Sequence, residues 1–299
     1  MIKILSMKLT TIKNITLEDI YWRLKAGKSK KRMTVFELRS DLNKHIQNPV
    51  FFLSTGRCGT KWFSNLLTHH KELFVLHNPV PSLAIQSKLA YEIFKTGNLK
   101  NSHLDLLQEI FLTGREQHLR YSFKTNKRYI ETNNYITFFA PLLIKLFPDA
   151  KFVHLYRHPG EFVRSAIRRN YYTKNNPENL KRIVPLDGQQ KEQWEQFSQI
   201  EKTAWLWNET NLFIEQFKEK KPEKVFDFNF NELTTDHVIK LLQFLEIQIN
   251  HGIISKSLNK KTNVQKKGNF KKYSNWEKTK KQELINICNE LAAKYNYNL

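Results

Sequence analysis

The chain predicts an α/β fold with a central parallel sheet flanked by helices, and three observations predict it. From Val50 onward short apolar runs alternate with longer segments of helical periodicity, the pattern of strands that are each followed by a helix. Two of the runs, Val50–Ser54 and Phe152–Tyr156, pass into small or cationic turns that open helices, so parallel strands would bring both turns to one carboxyl edge of the sheet. The alternation does not restart, and 299 residues with 40% hydrophobic content can bury one large core.

The first residues differ in texture from the rest. Thr16 caps a helix over Leu17–Ala26, Gly27 ends it, and the basic run Lys28-Ser29-Lys30-Lys31-Arg32 follows. Residues 1–47 therefore read as an appended helical arm and residues 48–299 as the main domain. Strands are expected over Val50–Ser54, Phe74–Leu76, either Tyr121–Lys124 or Tyr129–Glu131, Phe152–Tyr156 and Val225–Phe228. A helix is expected over Thr60–His70, with His69 and His70 at its end, where imidazoles favour the negative pole of the dipole. Gln189–Lys220 reads as a long helix whose Trp194, Ile200, Ala204, Trp207 and Phe213 recur near helical spacing and belong to a core. The polar stretch Tyr171–Gln190, with Pro177, Pro185 and Gly188, reads as a mobile loop.

The segment Val50-Phe51-Phe52-Leu53-Ser54-Thr55-Gly56-Arg57-Cys58-Gly59-Thr60-Lys61-Trp62 has the composition of an anion cradle. Its apolar half supplies a buried strand, Gly56 and Gly59 let backbone approach a ligand, and the first N–H groups of the next helix point at negative charge. Arg57 and Lys61 add cations. A plain strand-to-helix connection with surface charges reads equally well from this segment alone. The second turn, Tyr156-Arg157-His158-Pro159 through Ser165, places a proline in a first helical turn and lets Arg157 and Ser165, two turns into the helix, reach one phosphate. A P-loop nucleotide hydrolase needs a longer Gly-x-x-x-x-Gly-Lys-Ser/Thr loop and an acidic metal ligand at a neighbouring strand end, where Arg157 stands instead.

Together the two turns resemble the sulfotransferases that use 3′-phosphoadenosine 5′-phosphosulfate (PAPS). Ser54 through Trp62 is similar to the family's 5′-phosphosulfate loop, and Arg157 through Ser165 to its 3′-phosphate motif, with the same Arg-to-Ser spacing. Weaker similarity runs through Ala204–Glu209, Phe230–Leu233 before Phe244-Leu245, and the Lys- and Trp-containing carboxyl end, so the resemblance spans roughly Asn48 to the end. It implies a P-loop-like sulfotransferase fold that takes PAPS and releases 3′-phosphoadenosine 5′-phosphate (PAP). By this resemblance Thr55, Gly56, Arg57, Cys58, Gly59, Thr60 and Lys61 form the 5′-phosphate site, with Arg57 as the electrostatic catalyst. Trp62 stacks on the adenine or begins the core of its helix. Arg157 and Ser165 hold the 3′-phosphate. Lys266 and Lys267 close over it, although Lys266-Lys267-Gly268 only approximates the family's Arg-Lys-Gly triplet.

Sulfonate transfer to a hydroxyl or amine also calls for a proton acceptor. His77 ends the short strand in Leu73–Pro79 and titrates near neutrality when unperturbed, so it is the favoured base, with an exposed turn histidine as the plainer reading. Val75 stands where family members with such a histidine carry a lysine, and the segment between loop and base is shorter than theirs. Glu131 is the alternative base; otherwise it is a surface carboxylate paired with Lys124, Lys127 or Arg128. His154, inside an apolar strand, reads as structural. No His, Cys, Asp and Glu spacing suggests a metal site.

The formal net charge is +21, from 49 basic and 28 acidic residues, densest over Lys256–Lys272. It suits a nucleotide cofactor and an anionic acceptor, and it leaves open peripheral contact with a membrane surface, but no aromatic-basic nucleic-acid motif accompanies it. Two cysteines argue against a disulfide framework. With no apolar run of membrane-spanning length and no signal-peptide core, the expected location is cytoplasmic. The expected partner is a small-molecule or glycan acceptor, with carbohydrate and lipid both open. A P-loop kinase or hydrolase and a non-enzymatic polyanion binder are the rival functions.

Overall fold

A computed structural model of the chain describes Tyr21 and residues 39–97, 100–260 and 270–299. Within them lies a five-stranded sheet: β1 (Val50–Leu53), β2 (Leu73–Leu76), β3 (Arg128–Glu131), β4 (Lys151–Tyr156) and β5 (Val225–Asn229). The spatial order is β2-β3-β1-β4-β5 and every pairing is parallel, with Phe51 opposite Glu131 on one side and Phe152 on the other. This is the expected α/β architecture. The chain runs outward from β1 to β2, returns through β3, then crosses to β4 and β5. Connections leaving the sheet centre thus part in opposite directions, and a crevice opens at the carboxyl ends of the central strands.

Nine helices of seven residues or more connect and cover the described strands: α1 (Thr60–Leu67), α2 (Ala84–Lys95), α3 (Asn101–Thr125), α4 (Ala140–Leu146), α5 (Pro159–Ile167), α6 (Gln199–Lys220), α7 (Thr235–Phe244), α8 (His251–Leu258) and α9 (Lys278–Lys294). Because side chains alternate across a strand and both faces are covered, β1 is buried at every position. Val50 and Phe52 pack toward Trp62, Phe63 and Leu66 of α1 and Val238 and Leu241 of α7. Phe51 and Leu53 pack toward Phe111 of α3, Leu143 of α4 and Trp205 and Trp207 of α6. Each such fully buried side chain contributes on the order of 1.5–3 kcal/mol of transfer free energy.

One open alternative closes at this level and two expectations change. Of the two alternatives for the third strand, Tyr129–Glu131 is the strand and Tyr121–Lys124 continues α3. The long helix starts at Gln199, because Ser198 accepts from the Glu201 amide while Glu201 answers at the Ser198 amide, a capping box that stops the helix from extending back to Trp194. The Tyr171–Gln190 stretch is a hydrogen-bonded cap: the Tyr172 amide donates to Asn179 Oδ1 at 2.9 Å and the Tyr172 hydroxyl to the Ile183 carbonyl at 2.6 Å. The expected arm, residues 1–47, lies mostly outside the described residues. No described helix is long and apolar enough to cross a membrane.

Candidate active site

The turn after β1 is where sequence and backbone first combine into a site. Gly56, Arg57 and Gly59 all adopt positive φ, at 74°, 61° and 101°. This path turns successive amides inward, the geometry of a backbone anion nest. The Gly56 amide donates to Ser54 Oγ, whereas the amides of Arg57 through Lys61 have no acceptor among the described residues. Those five donors stand at the amino end of α1, where the helix dipole adds positive potential. Only glycine fits at position 59: besides its left-handed backbone, any Cβ there would collide with the Phe230 ring. The turn is anchored to the segment after β3 by a reciprocal pair, Ser54 N–H to Thr137 Oγ1 and Thr137 Oγ1–H to the Ser54 carbonyl, both 3.0 Å.

The turn after β4 meets it. Arg157 Nη1 donates to the Arg57 carbonyl at 3.1 Å, and Arg57 Nε donates to Ser165 Oγ at 3.2 Å, so the two predicted phosphate turns are cross-linked. Trp207 of α6 holds the Arg157 carbonyl at 3.0 Å, and the His158 amide donates to Asn231 Oδ1 at 2.7 Å. Arg157 Nε is buried without a partner among the described residues. Burial first, and then the neighbouring charge of Arg169, pull the Arg57 guanidinium below its ordinary range; an anion between them would relieve both effects.

Both turns open on a cavity of about 640 Å³. Its lining includes the apolar and aromatic Trp62, Phe230, Leu233 and Leu258 and the cations Lys88, Arg169, Lys181 and Arg182, with Tyr135 and Tyr171. Glu178 is the one carboxylate lining it among the described residues, and Lys181 already holds that group at 2.7 and 2.9 Å.

His77 lines this cavity just beyond β2, half-buried. Its Nδ1 lies 3.0 Å from Thr132 Oγ1, and that hydroxyl donates to the Leu76 carbonyl at 3.1 Å. A hydroxyl that donates to a carbonyl must accept from the imidazole, so Nδ1 carries the hydrogen and Nε2 keeps its lone pair. Desolvation, then the charge of Lys61, lower the imidazole to about 4, so the ring is neutral and able to take a proton at pH 7.

Glu131 is corrected. It is fully buried and does not line the cavity. Its carboxylate receives Arg115 Nε and Nη2 at 2.7–3.1 Å, the Tyr129 hydroxyl at 2.6 Å and Asn133 Nδ2 at 3.1 Å, which leaves no lone pair for a substrate proton. Burial opposes its ionisation, but the Arg115 charge and these bonds together outweigh that and hold the carboxyl below its ordinary range. Neither Lys124, Lys127 nor Arg128 is its partner. A buried arginine on α3, thirteen residues before β3 begins, could not be singled out from a one-dimensional pattern.

Of the other predicted residues, Thr55, Gly56, Gly59, Thr60 and Lys61 line the cavity, as do Arg57 and Arg157. Cys58 contributes only backbone: its buried thiol turns to Thr55 Oγ1 and the Gly56 carbonyl, and burial pushes its pKa up. Ser165 lies behind Arg57 and does not itself line the cavity. Trp62 lines the cavity, and its ring packs edge-on against Phe63 while its Nε1 donates to the Ser257 carbonyl at 3.0 Å. Lys266 and Lys267 lie outside the described residues; Lys260 lines the cavity just before them. The residues that sequence reading missed are Lys88, Arg169, Lys181 and Arg182. Arg169, four residues past Ser165, carried a helical-spacing signal; the other three carried none.

Elsewhere, His154, Glu215 and Asp227 bring ligand-type atoms within 4.8 Å of one another. Lys218 bonds both carboxylates at 3.0 and 2.6 Å, and Lys294 takes the second Glu215 oxygen at 2.6 Å, so ammonium groups already fill this partly buried network.

The model of the sulfotransferase family matches residues 49–250. Among solved structures, the chain is similar to the sulfotransferase domain of the olefin synthase of Synechococcus PCC 7002, at 13% identity over 85% of this chain and 96% of that one, with a TM-score of 0.51. It is also similar to sulfotransferase STF9 from Mycobacterium avium (13% identity, 94% and 85% covered, TM-score 0.49) and to mouse sulfotransferase SULT7A1 complexed with PAP (14%, 87% and 90%, 0.43). At such identity the first of these likenesses establishes the fold. No curated protein sequence matches the chain.

Proposed function

The chain belongs to the sulfotransferase family, and on that premise we propose that it moves a sulfonate group from PAPS to a hydroxyl or amine of an acceptor, releasing PAP. The observation that carries this reading is the set of unpartnered amides from Arg57 to Lys61, cross-linked through Arg57 and Arg157 to a second cationic turn. Two oxyanion sites joined in this way suit a nucleotide with phosphates at both its 5′ and 3′ positions, and Trp62, Phe230 and Leu258 offer an apolar wall for its base.

When bound, the donor would supply the sulfonate, whose bond to the 5′-phosphate oxygen breaks as a bond to the acceptor oxygen forms. The loop amides, Arg57 and Lys61 stabilise the charge that collects on the departing phosphate. His77 Nε2 takes the acceptor's proton, and Thr132 keeps the ring in the tautomer that can do so. Arg157 and the Arg57–Ser165 contact position the nucleotide rather than take part in bond exchange.

The test is isothermal titration of PAP and of ATP with Mg²⁺ into the wild type, Arg157→Ala and Ser165→Ala. Binding of PAP, weakened by at least tenfold in Arg157→Ala and less in Ser165→Ala, is the expected result. A preference for ATP with Mg²⁺ would favour a P-loop kinase or hydrolase. No nucleotide binding at all would leave a polyanion binder, recognised by steep salt dependence.

A further inference from the structure

Building on that reading, we infer that the acceptor is itself an oxyanion, a hydroxyl compound bearing a carboxylate, phosphate or sulfate that seats on Arg182 and Lys88 while its hydroxyl faces His77. Topology separates the two halves of the cavity. Phe230 and Leu233 follow β5 and Trp62 packs beside α8, so the nucleotide end lies toward the β4–β5 side. His77 follows β2 at the opposite edge, Tyr135 follows β3, and Lys88 projects from α2, which packs against the Pro177–Lys181 turn that precedes Arg182. His77, Lys88 and Arg182 therefore share the end that a nucleotide in the cradle would leave open, while Arg169, whose charge acts on Arg57, stands nearer the cradle.

Charge makes the same point. A PAPS molecule carries about four negative charges, since a phosphomonoester holds 1.5–2 at neutral pH. Arg57, Lys61, Arg157 and Lys260 answer these at the nucleotide end. Lys88 and Arg169 make no ion pair among the described residues, and the sole lining carboxylate is neutralised by Lys181. Arg182 is posed rather than loose: its guanidinium stacks 3.7 Å over the Tyr171 ring, Nη1 donates to Asn179 Oδ1 at 3.3 Å, and Nε is buried with no partner among the described residues. A buried guanidinium donor left unpaired in a cavity that also carries Lys88 is costly unless a ligand supplies an acceptor. Ile183, Phe138 and Leu206 complete this end as apolar walls that exclude water and strengthen such a contact.

A soluble anionic glycan and an anionic lipid headgroup offer the same group. The experiment first titrates PAP, then fills the cradle with it and measures binding of two matched pairs at about 0.15 M salt. One pair is para-nitrophenyl β-glucuronide and para-nitrophenyl β-glucoside; the other is phosphatidylglycerol and phosphatidylcholine vesicles. At least a tenfold preference for the anionic member of one pair is expected, reduced to less than threefold in Arg182→Gln and in Lys88→Gln, and the pair showing it identifies the source. The PAP affinity of each variant, expected within twofold of wild type, reports that it is folded. Equal binding within both pairs overturns the inference, as does a preference that survives both substitutions, because the overall positive charge would then explain it. Failure of PAP to bind sinks the sulfotransferase reading itself, whereas PAP binding without anionic preference sinks only this step.

Discussion

The phosphate cradle and the cationic wall opposite it share one cavity but are made of different material. The cradle is backbone, eight consecutive residues from Ser54 to Lys61 whose amides are aimed by three positive-φ positions. The wall is side chains, Lys88 from α2 and Arg182 from the Tyr171–Gln190 cap. Donors fixed by backbone geometry lose almost no freedom when an anion arrives, while each lysine or arginine that must be ordered costs up to about 2 kcal/mol. Stacking on Tyr171 offsets part of that cost for Arg182 alone. The difference teaches that the cradle suits one invariant ligand, and that the wall can be retuned one side chain at a time without touching the cradle.

The largest effect expected from a single substitution lies between the two. His77→Asn should cut kcat by about 10²–10⁴, with PAP affinity unchanged by titration, when turnover of PAPS is followed with the acceptor selected by the binding series. A drop below tenfold would remove His77 as the base. Next, Arg115→Met should lower stability by about 3–5 kcal/mol, because it strands the buried Glu131 carboxylate. Chemical denaturation measures the loss, and Arg115→Met combined with Glu131→Leu should recover much of it. PAP should still bind the single variant normally below its transition, since this pair braces β3 and Thr132 rather than the cradle; weakened PAP binding would show that the two regions are mechanically coupled.

A smaller effect is expected of Gly59→Ala, which forces a side chain into a strained left-handed position against Phe230. The penalty of about 1–3 kcal/mol should appear as a roughly 10–100-fold loss of PAP affinity, partly restored by Phe230→Ala, with Arg182 still able to select anions. Loss of anion selectivity along with PAP binding would contradict the separation of cradle and wall. The gentlest test is pH. The free protein's His77 keeps its basic form until pH falls through about 4, because burial and Lys61 disfavour the imidazolium. A bound anionic donor neutralises Lys61 and Arg57 and so raises that value toward the ordinary ~6.5. The acid limb of kcat should therefore lie above the acid limb for the free protein in kcat/KM; coincident limbs would place the base outside the reach of the cradle's charge.

Much of this was legible in the residues because it depends on neighbours in the chain. An apolar run, two glycines and the amino end of a helix are contiguous, so the cradle, the strands β1 and β4 and the Arg157–Ser165 turn could all be read from local pattern. The capping box at Ser198 was equally local, and only the pull of the Trp194 spacing obscured it. His77 could be placed at a strand end, but its tautomer and depressed pKa needed Thr132 and Lys61, which arrive from other segments.

The sequence by itself determined the parallel α/β class, the site at the carboxyl edge and the two cationic turns, since periodicity and backbone chemistry act over a few residues. Tertiary structure alone decided that Glu131 is a brace rather than a base, that the Cys58 thiol faces inward, and that Lys88, Arg169 and Arg182 share a cavity with His77. Burial and charge pairing are properties of which segments meet in space. A string of residues does not contain that information until the sheet order brings them together.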